Sequence, residues 1–299
     1  MSVRRLRAAT RGSPLARWQA DSIAAALRAR DPDLEVELVI VDTQGDRRLD
    51  VPIWELGGKG VFAKEVQAAV LDGRADLAVH SAKDLPSVSV PGLAIACVPE
   101  RGDPRDALVG ATLADLPQGA EVATGSLRRQ AQLAAVRPDL RFVGLRGNMA
   151  TRIAKAADHD AVVVAATALD RLGLADRIAE RLAVDVVLPQ VGQAALAVEC
   201  REDHTELRAA LADVEHVPTR RCVDAERAFL AALGGDCSLP AAAYATLSPD
   251  GRLSVEGRIA TVDGATVLRH RIEGETETVG TELARVLLED MGGRALLAR

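Results

Sequence analysis

Residues 124–152 read TGSLRRQAQLAAVRPDLRFVGLRGNMATR, and the order of signals in this stretch decides the fold class. A short apolar run at 120–123 leads into Gly125-Ser126, after which Leu127, Ala131 and Ala134 recur at helical spacing. A second strand-like run follows at 141–145, then Arg146-Gly147-Asn148 and a second helical segment at 149–157. Strand, helix, strand, helix in close succession is the grammar of an α/β sheet with parallel strands. The same stretch sets Arg128, Arg129, Arg146 and Arg152 beside glycines. Glycine lets backbone approach a ligand, and arginine offers a planar fork of donors for carboxylate or phosphate. Ser126 stands where a helix begins, and free N–H groups at a helix N-terminus add to the attraction for an anion. A solvated basic face beside a turn is the plain alternative for one Arg-Arg pair; four arginines around two glycine turns favour an anion site.

Working outward, the first hundred residues repeat the pattern. A strand at 3–9 ends in Thr10-Arg11-Gly12-Ser13-Pro14, with Ser13 as helix cap and Pro14 in the first helical position. The helix that follows keeps Ala16, Ala20, Ile23 and Leu27 on one face to about residue 30. Arg11 therefore stands at a strand end, where open α/β sheets bind ligands. A strand at 35–41 precedes a polar loop running to Gly57-Gly58-Lys59-Gly60, which is either a lid or a solvent connection. A helix at 61–71 and a buried strand at 76–79 then run into His80-Ser81-Ala82-Lys83-Asp84-Leu85-Pro86. After 103 the pattern starts again, with another apolar strand at 161–165, so two similar lobes facing across a cleft are expected, with Gln190-Val191-Gly192-Gln193 as a hinge. The last eighty residues differ: a helix at 223–233, the loop Gly234-Gly235-Asp236-Cys237-Ser238, strands at 241–247, 252–260 and 265–272, and a closing helix at 278–288. Expected domains are 1–99 with 194–215, then 100–193, and a small α+β domain at 216–299 whose core is a three-stranded antiparallel sheet.

Composition narrows the function. The 299 residues carry 37 Lys and Arg against 43 Asp and Glu, a formal charge of −6, and 2% aromatic residues, which argues against a nucleic-acid coat or a base-stacking platform. Cys97, Cys200, Cys222 and Cys237 are far apart, so neither a zinc site nor a disulfide scaffold is expected. There is no apolar run of bilayer length and no secretory h-region at the start, so a soluble, cytoplasmic protein is expected. Two places could carry chemistry. Lys83-Asp84 leaves a buried strand at a defined point, where a carboxylate could transfer protons or hold a cation, or could equally be a surface ion pair. His80 and Ser81 beside it alternate on a strand and point to opposite faces, which weakens any triad. Cys237, in a glycine loop, could be presented to a cleft as a nucleophile, although Asp236 opposes a thiolate.

Eight ordered motifs together are far more specific than any one. The chain resembles the porphobilinogen deaminase family over essentially its whole length, through AATRGSPLA (8–16), GGKGVFAKE (57–65), DLAVHSAKDLP (76–86), ERGDPRDA (100–107), TGSLRRQ (124–130), LRGNMATR (145–152), RLGL (171–174) and the Cys237 loop. The resemblance implies two lobes like those of periplasmic binding proteins and a small third domain whose Cys237 forms a thioether to a dipyrromethane cofactor. It implies condensation of four porphobilinogens with loss of ammonia, giving linear hydroxymethylbilane for haem and other tetrapyrroles, in a monomer that needs neither nucleic acid nor membrane. Each pyrrole carries an acetate and a propionate. By the same resemblance Asp84 is the catalytic acid; Ser13, Lys83, Ser126, Arg128, Arg129, Arg146 and Gly147 hold the cofactor with Cys237; Arg11, Lys59, Phe62, Arg152 and Arg171 meet substrate, Phe62 as a stacking face. No metal is implied. Two positions depart from the family pattern: Asp236 stands where Gly usually precedes the cysteine, and Ala194 stands where Gly is usual, stiffening the hinge. A two-lobe binder without catalysis is the main rival. A phosphate enzyme is disfavoured, since G-x-x-x-x-G-K-[ST] and an early G-x-G-x-x-G are missing.

Overall fold

The first strand, β1 (Arg5–Arg11), is buried at Leu6 and from Ala8 to Thr10, and leads to Ser13, whose Oγ accepts the Ala16 N–H at 3.3 Å and so caps helix α1 (Pro14–Arg28). Ala16, Ala20, Ile23 and Leu27 form its buried face. This computed structural model describes residues 5–47, 60–234 and 239–297. Strand β2 (Glu35–Val41) lies parallel to β1 along all seven residues. After a single helical turn, α2 (Gln44–Arg47), comes α3 (Lys64–Leu71), three residues later than the spacing predicts. Gly60, with φ +73°, accepts the N–H groups of Ala63 and Lys64 through its carbonyl, so 60–63 form a turn that feeds the helix. Strand β3 (Leu77–Ser81) follows, then one 3₁₀ turn at Ala82–Asp84, and β4 (Leu93–Cys97).

The second lobe repeats this plan with β5 (Asp106–Val109), β6 (Glu121–Ala123), α4 (Leu127–Val136), β7 (Arg141–Val143), α5 (Met149–Ala154), β8 (Ala161–Ala165), α6 (Ala166–Arg171) and β9 (Glu180–Arg181). The chain then returns as β10 (Leu196–Arg201) to the first sheet. Strand orders are β2-β1-β3-β10-β4 and β7-β6-β8-β5-β9. In each, the strand on which the chain arrives from the other lobe is inserted antiparallel: β10 between β3 and β4, β5 between β8 and β9. The exchange lays the two connecting segments side by side, with the Gly102 N–H donating to the Ala194 carbonyl at 3.3 Å. β8 (AVVVA) is buried at all five positions, as expected for a strand covered on both faces.

Past α7 (Thr205–Ala212), helix α8 (Val217–Ala232) begins six residues before the expected 223, because His216 caps it and Pro218 fits its first turn. Its first turns carry Arg220, Arg221 and Asp224, and this polar opening hides the helical period. Strands β11 (Ala241–Leu247), β12 (Leu253–Ala260) and β13 (Val267–Gly274) form the expected antiparallel sheet, covered by α8 and α9 (Val279–Arg285); α10 (Gly293–Leu297) closes the chain. Phe229, Leu253, Val255, Ile259, Leu283 and Leu287 make this core. Among the described residues no helix is long and apolar enough to cross a membrane.

Candidate active site

Between the two five-stranded sheets lies a cleft of about 800 Å³, toward the upper end of small-molecule sites. Three helix N-termini open onto it. Ser13 caps α1 from the first lobe; Ser126, whose Oγ accepts the Arg129 N–H at 3.4 Å, caps α4 from the second; Asn148, accepting from Thr151 N at 3.0 Å, caps α5. The aligned peptide dipoles of α1 and α4 favour negative charge in the space between them. Gly147 makes the α5 corner possible: its φ is +115°, and a Cβ there would stand 2.7 Å from Thr151 Cγ2. Its carbonyl accepts Arg152 Nε at 2.9 Å and aims that side chain.

Arg11, Arg128, Arg129, Arg146 and Arg152 all line the cleft, yet their partners differ. Arg128 and Arg129 are buried and both face Asp106, the first residue of β5, at 2.8 Å each, and the Asp106 side chain is wholly buried. Arg128 also donates to the Leu188 carbonyl at 2.6 Å, and Arg129 to the Val163 carbonyl at 3.1 Å. Burial would raise the Asp106 carboxyl, but the two guanidinium groups outweigh it and hold it well below the usual carboxylate range. Arg11 is paired with Asp46 and lies 4.2 Å over the Phe62 ring. Arg152 is pulled down to about 10, by burial first and then by Arg129 and Arg146; Arg11, from the opposite lobe, adds to the repulsion and the Asp84 charge opposes it. Positive charge from both lobes therefore converges on one space.

The 3₁₀ turn after β3 brings Lys83 and Asp84 to the cleft wall. Lys83 Nζ donates to Gln193 Oε1 at 3.2 Å, and burial, then the facing Arg129, pull its ammonium down to about 8. This turn is clamped from behind by the crossover. Gly192 has φ +69°, and a Cβ there would stand 3.1 Å from the Ala82 and Lys83 backbone. Ala194, with φ +69°, is the non-glycine residue in the left-handed region among the described residues. The third domain holds the same point: Glu226 of α8 accepts from the Gly192 N–H at 2.7 Å and from Arg101 at 2.6 Å, while Arg101 Nε donates to the Gln193 carbonyl at 2.7 Å.

The expected site residues are thus brought together, with differences in detail. Phe62 lines the cleft, with one face of its ring covered by Arg11 and its edge against Gly45. Arg171 is not among the cleft-lining residues: it donates to the Ala194 carbonyl at 2.7 Å and sits 5.2 Å over Trp18 of α1. Lys59 and Cys237, with Asp236, lie outside the described residues. His80 and Ser81 do face opposite ways, His80 Nε2 lying 3.2 Å from buried Glu199 and Ser81 Oγ accepting from Gln19 at 2.8 Å, which leaves no triad. Cys97, Cys200 and Cys222 are buried, and burial pushes their thiols up to about 12, 11 and 11. Asp46, Asp106 and Gln193 were not singled out as site residues from sequence. Asp106 gave one sign, an acidic residue opening an apolar run in PRDALV.

Comparison with known proteins gives the same answer along the whole chain. Residues 6–209 match the family model described as porphobilinogen deaminase, dipyromethane cofactor binding domain, and residues 220–289 match porphobilinogen deaminase, C-terminal domain. The chain is 48% identical to the porphobilinogen deaminase of Syntrophotalea carbinolica, covering 100% of this chain and 97% of the relative. It is 46% identical to that of Geobacter metallireducens, covering 100% and 95%. Among solved structures it is similar to the periplasmic aliphatic sulphonate binding protein SsuA of Escherichia coli, with 17% identity, TM-score 0.42, and 77% and 70% of the two chains covered. The chain belongs to the porphobilinogen deaminase family.

Proposed function

We infer that this chain is a hydroxymethylbilane synthase: a transferase that joins four porphobilinogens head to tail, releasing ammonia at each step, in tetrapyrrole biosynthesis. The observation that carries the reading is the placement of the Asp84 carboxylate on the wall of a cleft into which arginines converge from both lobes. The donor set fits a dipyrromethane: several carboxylates need donors at several points, and Ser13, Lys83, Ser126, Arg128, Arg129, Arg146 and Gly147 share one cavity. Attached through Cys237, that group supplies the pyrrole carbon that attacks the first substrate. The three described cysteines are too buried and too weakly acidic for such attachment, which supports Cys237 as the anchor.

Asp84 accepts the pyrrole N–H of the incoming substrate and opposes the positive charge left when ammonia departs. In a cleft that excludes bulk water, a fixed carboxylate is worth more than solvent. Arg11, Arg152 and Lys59 hold substrate carboxylates; Phe62 contributes a wall; Arg171 joins them by leaving the Ala194 carbonyl. The bounds 1–99 with 194–215, 100–193 and 216–299 suit this reading, since β10 belongs to the first sheet and β11 to β13 form their own. The enzyme acts as a cytoplasmic monomer. The test is intact mass: the purified chain should exceed its bare mass by two pyrrole units and colour with an aldehyde pyrrole reagent. A bare mass without colour refutes cofactor and enzyme together. Asp84→Asn should keep the added mass while losing turnover by about 100-fold or more; near-normal turnover removes Asp84 from its role.

A further inference from the structure

Three cations stand around one buried carboxylate at the junction of the lobes. Asp106 faces Arg128 and Arg129 at 2.8 Å each, and its Oδ1 also accepts Gln193 Nε2 at 2.9 Å. The same Gln193 side chain accepts Lys83 Nζ through Oε1 at 3.2 Å and gives a second N–H to the Pro104 carbonyl at 2.7 Å. Gln193 is wholly buried on the crossover, Lys83 stands on the 3₁₀ turn after β3 of the first lobe, and Asp106 opens β5 of the second. One amide thus joins the ammonium of one lobe to the carboxylate that orients two guanidinium groups of the other.

We propose that Asp106 is a positioning residue for the anion cradle: through Gln193 it sets Lys83, Arg128 and Arg129 into a single cationic unit across the lobe junction. The proposal rests on the functional reading above and adds a member to its site. The chemistry is complementary. Counting Asp84 with Asp106, the three cations keep a net positive charge, which suits a ring that brings carboxylates. A guanidinium held by a buried acid keeps its fork in one plane, while a free one would sample many. Asp106 is too enclosed to touch substrate itself, so it acts only through its partners.

Lys83 provides the readout. The chain has four lysines, 59, 64, 83 and 155, so amine labelling mapped by mass follows Lys83 against internal references. The charges facing its ammonium are Arg129, Arg128 and Asp106 from the second lobe and Asp84 from its own turn. In Asp106→Asn the Lys83 labelling midpoint should fall by about half a pH unit or more, because an attractive charge is gone, with Lys64 and Lys155 unmoved. The fraction of chain carrying the cofactor mass should fall several-fold, KM should rise more than kcat falls, and Asp106→Glu should restore part of each. An unchanged Lys83 midpoint with full cofactor loading overturns the proposal. Should Asp106→Asn fail to fold, Gln193→Met decides: it cuts the bonds to Lys83, Asp106 and Pro104 and leaves every charge in place. Lys83 should then label several-fold faster relative to Lys155, and an unchanged ratio overturns the proposal. Labelling does not depend on turnover, so a wild-type chain without cofactor would sink the functional reading and leave the coupling measurable.

Discussion

Replacing Glu226 tests how the third domain holds the crossover. The Glu226 side chain is wholly buried and accepts four hydrogen bonds: from Arg101 Nη1 at 2.6 Å and Nη2 at 3.2 Å, from the Gly192 N–H at 2.7 Å and from the Ala245 N–H at 2.9 Å. Glu226→Ala leaves both Nη groups of Arg101 and two backbone N–H groups without this acceptor, and a buried guanidinium without its counter-charge. Breaking a buried pair by removing one partner costs about 3–5 kcal/mol, and the orphaned N–H groups keep the value at the top of that range. Against a total stability of about 5–15 kcal/mol such a loss is severe. Glu226→Gln keeps the shape but turns an N–H toward a donor, for about 2–3 kcal/mol. The sole tyrosine, Tyr244, has its ring 5.0 Å from the Arg101 guanidinium, so its absorbance reports this contact directly during urea unfolding. Arg101→Met with Glu226→Met should recover part of the loss, because the stranded charge is gone, though Gly192 and Ala245 still lack an acceptor. A change below about 0.5 kcal/mol for Glu226→Gln, well under the value expected for a buried bond, would refute the claim that this carboxylate holds the crossover.

Four further outcomes follow from the site. Lys83, pulled down to about 8, is charged below that pH and loses its charge as pH rises through it; carboxylate affinity should fall about fivefold between pH 8 and 9, seen as a rise in KM that Lys83→Arg removes. The same depression makes the unfolded chain hold the lysine proton up to its ordinary 10.5, so the stability linked to Lys83 is present above that pH and is lost as pH falls through about 8. Ala194→Gly relieves a left-handed strain of roughly 1–2 kcal/mol and adds about 0.5–1 kcal/mol of unfolded-state entropy, so denaturant stability should stay level or rise slightly, and a loss of about 2 kcal/mol would contradict the assigned strain. Gly147→Ala must place a methyl group at φ +115° against Thr151; a cost of about 1–3 kcal/mol and a raised KM are expected, and unchanged KM would separate this corner from anion binding.

The elements legible in sequence were those whose information is local. β2 and β8 fall where the apolar runs place them, and the Ser13 and Ser126 caps start their helices as read. β10 was harder because its partners lie about 100 residues upstream and its LAVECR pattern is interrupted by Glu199, which is buried against His80 and Gln67. The same limit applied to the site. Arginines beside glycines mark an anion cleft, but which acid or carbonyl each meets is decided across the fold. That is why Asp106 went unread, and why the bond from Arg171 to a carbonyl on the crossover was not foreseen.

The pairing pattern also explains how an acidic chain keeps a concentrated positive cleft. Arg11 and the Arg128–Arg129 pair are partly matched by Asp46 and Asp106, which fix their geometry. Arg152 is aimed by a neutral carbonyl instead, so its charge enters the cleft undiminished by that contact. Across this space Arg152 meets charge of both signs from the opposite lobe: Asp84 raises it and Arg11 lowers it. A carboxylate placed there removes repulsion within one lobe and between the two. Since a ligand shifts an equilibrium only by its differential affinity for the two states, an anion touching both lobes favours the closed arrangement over any open one. The clamp at Gly192 and Glu226 ties the crossover to the turn after β3 and to the third domain. Asp84 stands on that clamped turn, so the carboxylate proposed to meet the reacting cation is held by the same contacts that hold the crossover.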